Sequence, residues 1–300
     1  MWDQGTGWIP DPPDPRDYGP AHRNLPAAFV ETGLQEQIVA PLALPPRVDL
    51  RASFPAVFTQ GPLNACTAAT AAALIGYFEK KTLGRDVSPS VLFLYKIERN
   101  LLGQSGDTGA FLRTSMQALR TFGVPPEAAW PYRIDFLDVE PASFHYAYAA
   151  NYKATHYFRL DNDGTSPGAL VDRVRGSLAG GLPVMFGLAL YSSFDSGAPG
   201  EIPMAGPFDT QTALHALVAA GYDDAKVIAV FDPVSGPRAS SGAFRVRNSW
   251  GPAWGDGGYG WLPYDYVRAG LTSDWWALVR ADYLDIAAFG ARAAAQRDTS

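Results

Sequence analysis

The chain has 300 residues, 47% of them hydrophobic and 18% charged, with a net charge of −6. That composition supports a large buried core and excludes a disordered chain. The acidic balance and the lack of any basic run argue against nucleic acid, whose phosphates attract clustered Lys and Arg.

Residues 1–46 come first and are rich in proline, with Pro10, Pro12, Pro13 and Pro15 in one group and Pro41, Pro45 and Pro46 in another. Proline fixes φ and removes a backbone donor, so this stretch reads as an extended arm, with a turn of helix at most over Val30 to Leu34. Trp2, Trp8, Ile9 and Tyr18 are large apolar anchors that a solvated tail does not need, so the arm is expected to pack on the body. The beginning of the chain lacks a positive region followed by an apolar run, so no signal peptide is recognised. No stretch approaches the about 20 apolar residues of a membrane helix. The expected location is the cytoplasm, or outside it by export without a recognisable leader.

Residues 66–80 are Ala-rich and read as a buried helix beginning at or just before Cys66. Residues 88–101 follow as an apolar-rich helix whose cap and first turn are set at Ser88-Pro89. A third helix, 110–122, is stopped by Gly123 and Pro125. The pattern then changes. Residues 152–160 alternate as a strand, 170–179 read as a short helix, and 183–190, 216–222, 227–231 and 243–248 read as strands. A helical half followed by a strand-rich half predicts an α+β protein of two lobes with a cleft between them. The lobes are placed at about 47–150 and about 151–285 on that change of pattern. Residues 286–300 form a tail, with a short helix or frayed end over 287–295.

The single cysteine, Cys66, cannot form an intrachain disulfide. A lone thiol is usually a small buried hydrophobe, and in the right setting it is a nucleophile. It attacks as thiolate, and a helix N-terminus lowers its pKa because free N–H groups and the helix dipole favour negative charge. Cys66 stands where the coil 59–65 gives way to a helix. Of four histidines, His22 lies in the arm, and His145 and His156 sit among aromatic residues as packing or surface groups. His215 begins an apolar strand, where a histidine is ordinarily structural. Asn248, at the head of Asn248-Ser249-Trp250-Gly251, changes that reading. Its amide could accept from one ring nitrogen and leave the other facing the thiol, with Trp250 shielding the bond from water.

At these residues the chain resembles the papain family of cysteine peptidases. Family members carry His and Asn about 130–150 residues after the Cys; here they follow by 149 and 182. Val48-Asp49-Leu50-Arg51 resembles the start of a mature domain, and Gln60-Gly61 precedes Cys66 at the family's spacing. Thr108-Gly109-Ala110 resembles the segment that pairs with substrate backbone, and Trp130-Pro131-Tyr132 the segment that closes the helical lobe. Asn248 to Gly251, then Trp254-Gly255 and Gly258-Tyr259-Gly260, is the most specific block, and the ordered set covers residues 46–280.

The resemblance implies a papain-like fold, with Cys66 as nucleophile, His215 as base and Asn248 orienting the imidazole. It implies Gln60 as an oxyanion donor beside the Cys66 N–H, and Gly109, Ala110, Trp250 and Trp254 as substrate contacts. Peptide bonds would be hydrolysed through a thioester. The implied partner is a peptide or protein substrate met by a monomer, with no cofactor. The histidines and cysteine have no metal-ligand spacing, so no metal is expected. Several features depart from the family. Thr67 replaces the usual aromatic after the nucleophile, Ala213 and Leu214 precede the histidine, and an insertion over Asp232 to Gly242 reads as a hairpin loop near the cleft. The lobe disulfides and the long helical propeptide are absent, as in a divergent, bacterial-type branch. Two alternatives stay open: an acyl transferase or ligase using the same groups, and a binding protein without activity. The arm is expected either to cross or border the cleft as the inhibitory segment of a zymogen, or to strap the back of a lobe.

Overall fold

In the computed structural model, residues 4–279 are described, apart from positions 42, 155, 163, 195 and 233–235. The C-terminal tail and its expected helix lie outside the described residues. In chain order the elements are β1 (Trp8–Ile9), α1 (Ala27–Glu31), α2 (Leu34–Val39), β2 (Arg47–Asp49), α3 (Cys66–Leu83), α4 (Val91–Leu101), β3 (Ala110–Phe111), α5 (Leu112–Thr121), α6 (Ser143–Ala149), β4 (His156–Arg159), α7 (Pro167–Ala179), β5 (Val184–Tyr191), β6 (Gln211–Asp232), β7 (Gly236–Arg247), β8 (Tyr259–Pro263), α8 (Tyr264–Arg268) and β9 (Thr272–Val279).

Helices α3, α4 and α5 form one lobe. The other is a seven-stranded sheet in the order β4-β9-β5-β6-β7-β8, with β2 paired to β6. The two-lobed α+β architecture agrees with the sequence pattern. Helix α3 is apolar nearly all round, from Cys66 to Phe78, because it packs against its sister helices and also against β5 and β6. It therefore carries Cys66 to the seam between the lobes.

Three local differences have simple causes. The cap of α4 is Ser90 rather than Ser88: its hydroxyl accepts from the Phe93 N–H at 3.1 Å, which places Pro89 outside the helix. The two strands expected over 216–231 are one long strand, β6, interrupted by bulges near Ala219/Gly221 and Asp223/Val227. The insertion after Asp232 extends β6 and β7 as paired strands, with Val227 opposite Ser241. The arm also holds more structure than a proline count allows. Helices α1 and α2 form over 27–39, between the two proline groups, and bury Phe29, Leu34 and Ile38. Gln37 Nε2 donates to Gly176 O of α7 at 2.9 Å.

The sheet core is held by aromatic stacking. Trp275 in β9 is fully buried and lies flat on Phe186 of β5, with centroids 4.0 Å apart and planes at 5°. Trp275→Ala should cost about 3–5 kcal/mol, the usual range for emptying a large aromatic site. Urea unfolding would read it as a lower midpoint at unchanged slope.

Candidate active site

Cys66 is the first residue of α3, and the helix start has no side-chain cap. Its backbone N–H is therefore free to meet an oxygen, and it meets Thr6 O of the arm at 3.4 Å. Burial pushes the Cys66 thiol up to about 12, opposed by backbone N–H groups of Ala216 and Trp8 and reinforced by Glu98.

His215 lies in β6, fully buried. Its Nε2 is 2.8 Å from Asn248 Oδ1, which also accepts from the Ser249 N–H at 2.8 Å. That oxygen can only accept, so Nε2 carries the hydrogen and Nδ1 is the basic nitrogen. Nδ1 has no hydrogen-bond partner among the described residues. Trp250 stacks on the imidazole at 4.7 Å and 28°. Burial pulls His215 down to about 4, the Asn248 bond opposing it. Burial thus disfavours the charged form of both groups.

Gln60 comes from the coil before α3 and is tied to the opposite lobe. Its N–H donates to Ser249 O at 2.9 Å, and its Oε1 accepts from Ser249 Oγ at 2.5 Å. This fixes the amide so that Nε2 donates to Leu63 O at 2.8 Å and to Gly5 O at 3.0 Å. Trp250 Nε1 donates to the same Gly5 carbonyl at 3.1 Å.

The arm continues along the segment expected to hold substrate backbone. The Gly5 N–H donates to Gly61 O at 2.8 Å, and the Ala110 N–H donates to Gly7 O at 3.0 Å. Strand β1 then runs parallel to β3, with Trp8 opposite Ala110. At Gly109 φ is +74°, and an added Cβ would lie 2.2 Å from Gly7 O, so only glycine admits a chain so close. Gly109 is held by its own N–H donating to Tyr95 Oη at 2.9 Å. Trp254 packs against Phe194 and edge-on to Trp250, as a buttress of the indole that touches the arm.

The structure thus sets Gln60, Cys66, Gly109, Ala110 and Trp250 along one line of arm backbone, with His215 stacked on Trp250, Asn248 bonded to His215, and Trp254 behind the indole. Several supporting bonds have no signal in the sequence. Tyr132 Oη donates to Gln60 O at 2.8 Å, and Thr67 Oγ1 donates to the buried Glu98 at 2.8 Å. Burial pushes that carboxyl up to about 8, against hydrogen bonds from Ser115 and Thr67. Asp274 lies in no short motif. Among the described residues no His/Cys/Asp/Glu cluster is arranged to hold a metal, and no helix is long and apolar enough to cross a membrane.

Comparison with known proteins gives a consistent picture. A family model described as papain family cysteine protease matches residues 44–275. The crystal structure of xylellain, a cysteine protease from Xylella fastidiosa, is 32% identical, with a TM-score of 0.73 over 93% of this chain and 97% of that one. A peptidase C1-like protein of Acanthamoeba polyphaga mimivirus is 30% identical over 226 residues, 73% of this chain and 68% of its own. The digestive procathepsin L 3 of Tenebrio molitor shares the fold at 18% identity, with a TM-score of 0.60 over 81% of this chain and 72% of that one.

Proposed function

The chain belongs to the papain family of cysteine proteases, and on that premise we propose that it hydrolyses peptide bonds with Cys66, His215, Asn248 and Gln60 through a thioester acyl-enzyme. The observation that carries this reading is the placement of two arm carbonyls. Gly5 O rests on Gln60 Nε2 and Thr6 O faces the Cys66 N–H. These are the two donors an oxyanion would need, and each already holds a peptide carbonyl oxygen.

In the reaction, His215 Nδ1 takes the thiol proton and Cys66 Sγ attacks the substrate carbonyl carbon. The oxygen of the tetrahedral intermediate takes its charge against Gln60 Nε2–H and the Cys66 N–H. Imidazolium then gives its proton to the leaving amine, leaving a thioester. Water, deprotonated by the same nitrogen, releases the acid and restores the thiol. Asn248 acts by holding the ring with Nε2 protonated, so that Nδ1 alone faces the chemistry.

The arm is the natural inhibitor of this site. Its carbonyls fill the donors, and its bulk strips water from Cys66 and His215. Docking therefore blocks access and also disfavours the charged pair. In this reading residues 1–46 act as a propeptide-like arm and 47–285 as the peptidase domain.

Two measurements test the assignment. After arm displacement, a thiol-directed peptide epoxide should give a single adduct, located by mass spectrometry at Cys66; an unmodified Cys66 would count against the nucleophile. Gln60→Ala should lower kcat by about a hundredfold to a thousandfold with little change in KM, since its N–H bonds the oxyanion more strongly than the ground-state carbonyl. An effect confined to KM would make Gln60 a substrate-positioning residue.

A further inference from the structure

Between the two lobes lies a cavity of about 190 Å³, with α3 on one side and β6 and the end of β7 on the other. No residue of the arm lines it, so filling it needs no displacement of the arm. Most of its wall is apolar, from Val57, Phe58, Ala72, Ala73 and Val218. It opens to solvent beside Ala56 and Ser88, the two exposed residues of its lining. An apolar cavity of about 150 Å³ is enough to hold benzene. This one has room for a molecule a few atoms larger, and not for a peptide of three residues.

Three polar side chains interrupt that wall, and none is fully satisfied. Arg247 is 4% exposed. Its guanidinium donates to Tyr259 Oη at 2.7 Å and to Ala56 O at 2.6 Å, and meets no carboxylate among the described residues. The rings of Phe54 and Tyr259, 5.3 and 5.5 Å away, are weak substitutes for a counter-charge. An arginine so deeply buried is ordinarily paired. Asn248 is its neighbour in the lining, 3% exposed. Its Oδ1 is used by His215 and the Ser249 N–H, while its Nδ2 is buried with no hydrogen-bond partner. Glu127 is half-buried and stands at the mouth, where its N–H donates to Ser88 O at 2.8 Å. Its Oε1 accepts from the Tyr132 N–H at 2.5 Å, and its Oε2 is buried with no partner. Burial raises the Glu127 pKa, against the N–H groups of Tyr132 and Val91. The cavity thus has spare donors on its floor and a spare acceptor at its mouth.

We propose that this cavity binds a free apolar amino acid of about leucine size, with its carboxylate on Arg247 and Asn248 Nδ2, its side chain on the apolar wall and its ammonium on Glu127. Each part of the ligand answers a group the fold leaves unpaired, and unpaired buried groups are what make a site discriminate. A plain carboxylate would face the like charge of Glu127 across a small cavity. A plain amine would face Arg247. A zwitterion suits both ends, and in so small a space one molecule reaches both. The Asn248 amide joins this cavity to His215, since one end holds the imidazole and the other would hold the ligand. An occupant would therefore steady the group that orients His215. That consequence rests on the peptidase reading above; the binding itself does not.

Titration calorimetry on the full chain, arm included, tests this with three molecules built on one carbon skeleton. Leucine carries both charges, 4-methylpentanoate only the carboxylate, and 3-methylbutylamine only the ammonium. Leucine should bind at least about tenfold more tightly than 4-methylpentanoate, the ordinary worth of a hydrogen bond to a charged group. The amine should not bind. Glu127→Gln should bring leucine and 4-methylpentanoate to equal affinity. Ala73→Leu enlarges a half-buried residue of the wall and should abolish leucine binding. If Ala73→Leu fails to fold, Glu127→Gln decides. No binding by any of the three, which would leave the cavity to water, overturns the proposal. So does an amine that binds as tightly as leucine, or leucine binding unchanged in either variant. The expected order of affinities in a protein that hydrolyses no peptide would uphold this site and sink the peptidase mechanism instead.

Discussion

Removing residues 1–10 should speed alkylation of Cys66 at pH 7.5 by at least about a hundredfold. Ionisation alone predicts more than that. Docked, the thiol is pushed up to about 12, which leaves roughly one molecule in ten thousand or fewer as thiolate near neutrality, against about a tenth for a free thiol near 8.5. Physical cover adds to this, since Thr6 O faces the Cys66 N–H and Gly5 O takes the Gln60 amide. The sign with pH follows. A raised thiol pKa means the neutral form persists until pH approaches about 12. The docked rate should thus climb about tenfold per pH unit through pH 9. The released protein, with a lower thiol pKa, should level off within the same range. Equal rates and equal pH profiles would show that the arm does not gate the thiol. The place of the cut matters. Phe29, Leu34 and Ile38 belong to the core, so a deletion reaching residue 40 would empty buried sites and confuse lost stability with opened access. The two stretches are separate: residues 5–9 lie against β3 and the coil before α3, and α2 packs on α7.

What was legible in the sequence and what was not divide along physical lines. Three of the four groups proposed for chemistry could be named because each sits in a short motif whose local structure positions it: Cys66 at a helix start, Asn248 ahead of Ser-Trp-Gly, Gln60 beside a glycine; His215 has no such motif and was named by its distance from Cys66 and its match to Asn248. The helix-then-strand order followed from hydrophobic periodicity, which local sequence carries. The paths of the arm and of Asp274 are settled by contacts across the chain. The bond from Trp8 Nε1 to Asp274 joins residues 266 positions apart, and no window of sequence contains both ends. The prolines act as breakers, but they hide α1 and α2, whose burial, Phe29 against Phe158 and α2 against α7, outweighs weak local propensity. Thr67, read as a departure from the family's aromatic, makes sense only beside Glu98 on the next helix, where a hydroxyl and not a ring fits the buried carboxyl.

Cys66→Ser should lose peptide hydrolysis by about ten-thousandfold or more in kcat/KM, in line with removal of nucleophiles that act as a unit with their base. The side chains differ by one atom and the site is fully buried, so the fold should persist, and circular dichroism would show it. The loss is chemical. A hydroxyl beside the same imidazole is far harder to ionise than a thiol, and the proposed site holds no buried carboxylate behind His215 to make the imidazole a stronger base. Its partner is the neutral Asn248, whose oxygen orients Nε2–H at 2.8 Å without adding charge. Such a base suffices for a thiol and falls short for an alcohol. His215→Ala should lose activity to a similar degree, and the double variant should lose little more than either single one, because thiol and imidazole work as one proton-transfer unit. Additive losses would mean that the two residues contribute separately. Wild-type hydrolysis by the serine variant would remove Cys66 from the mechanism altogether.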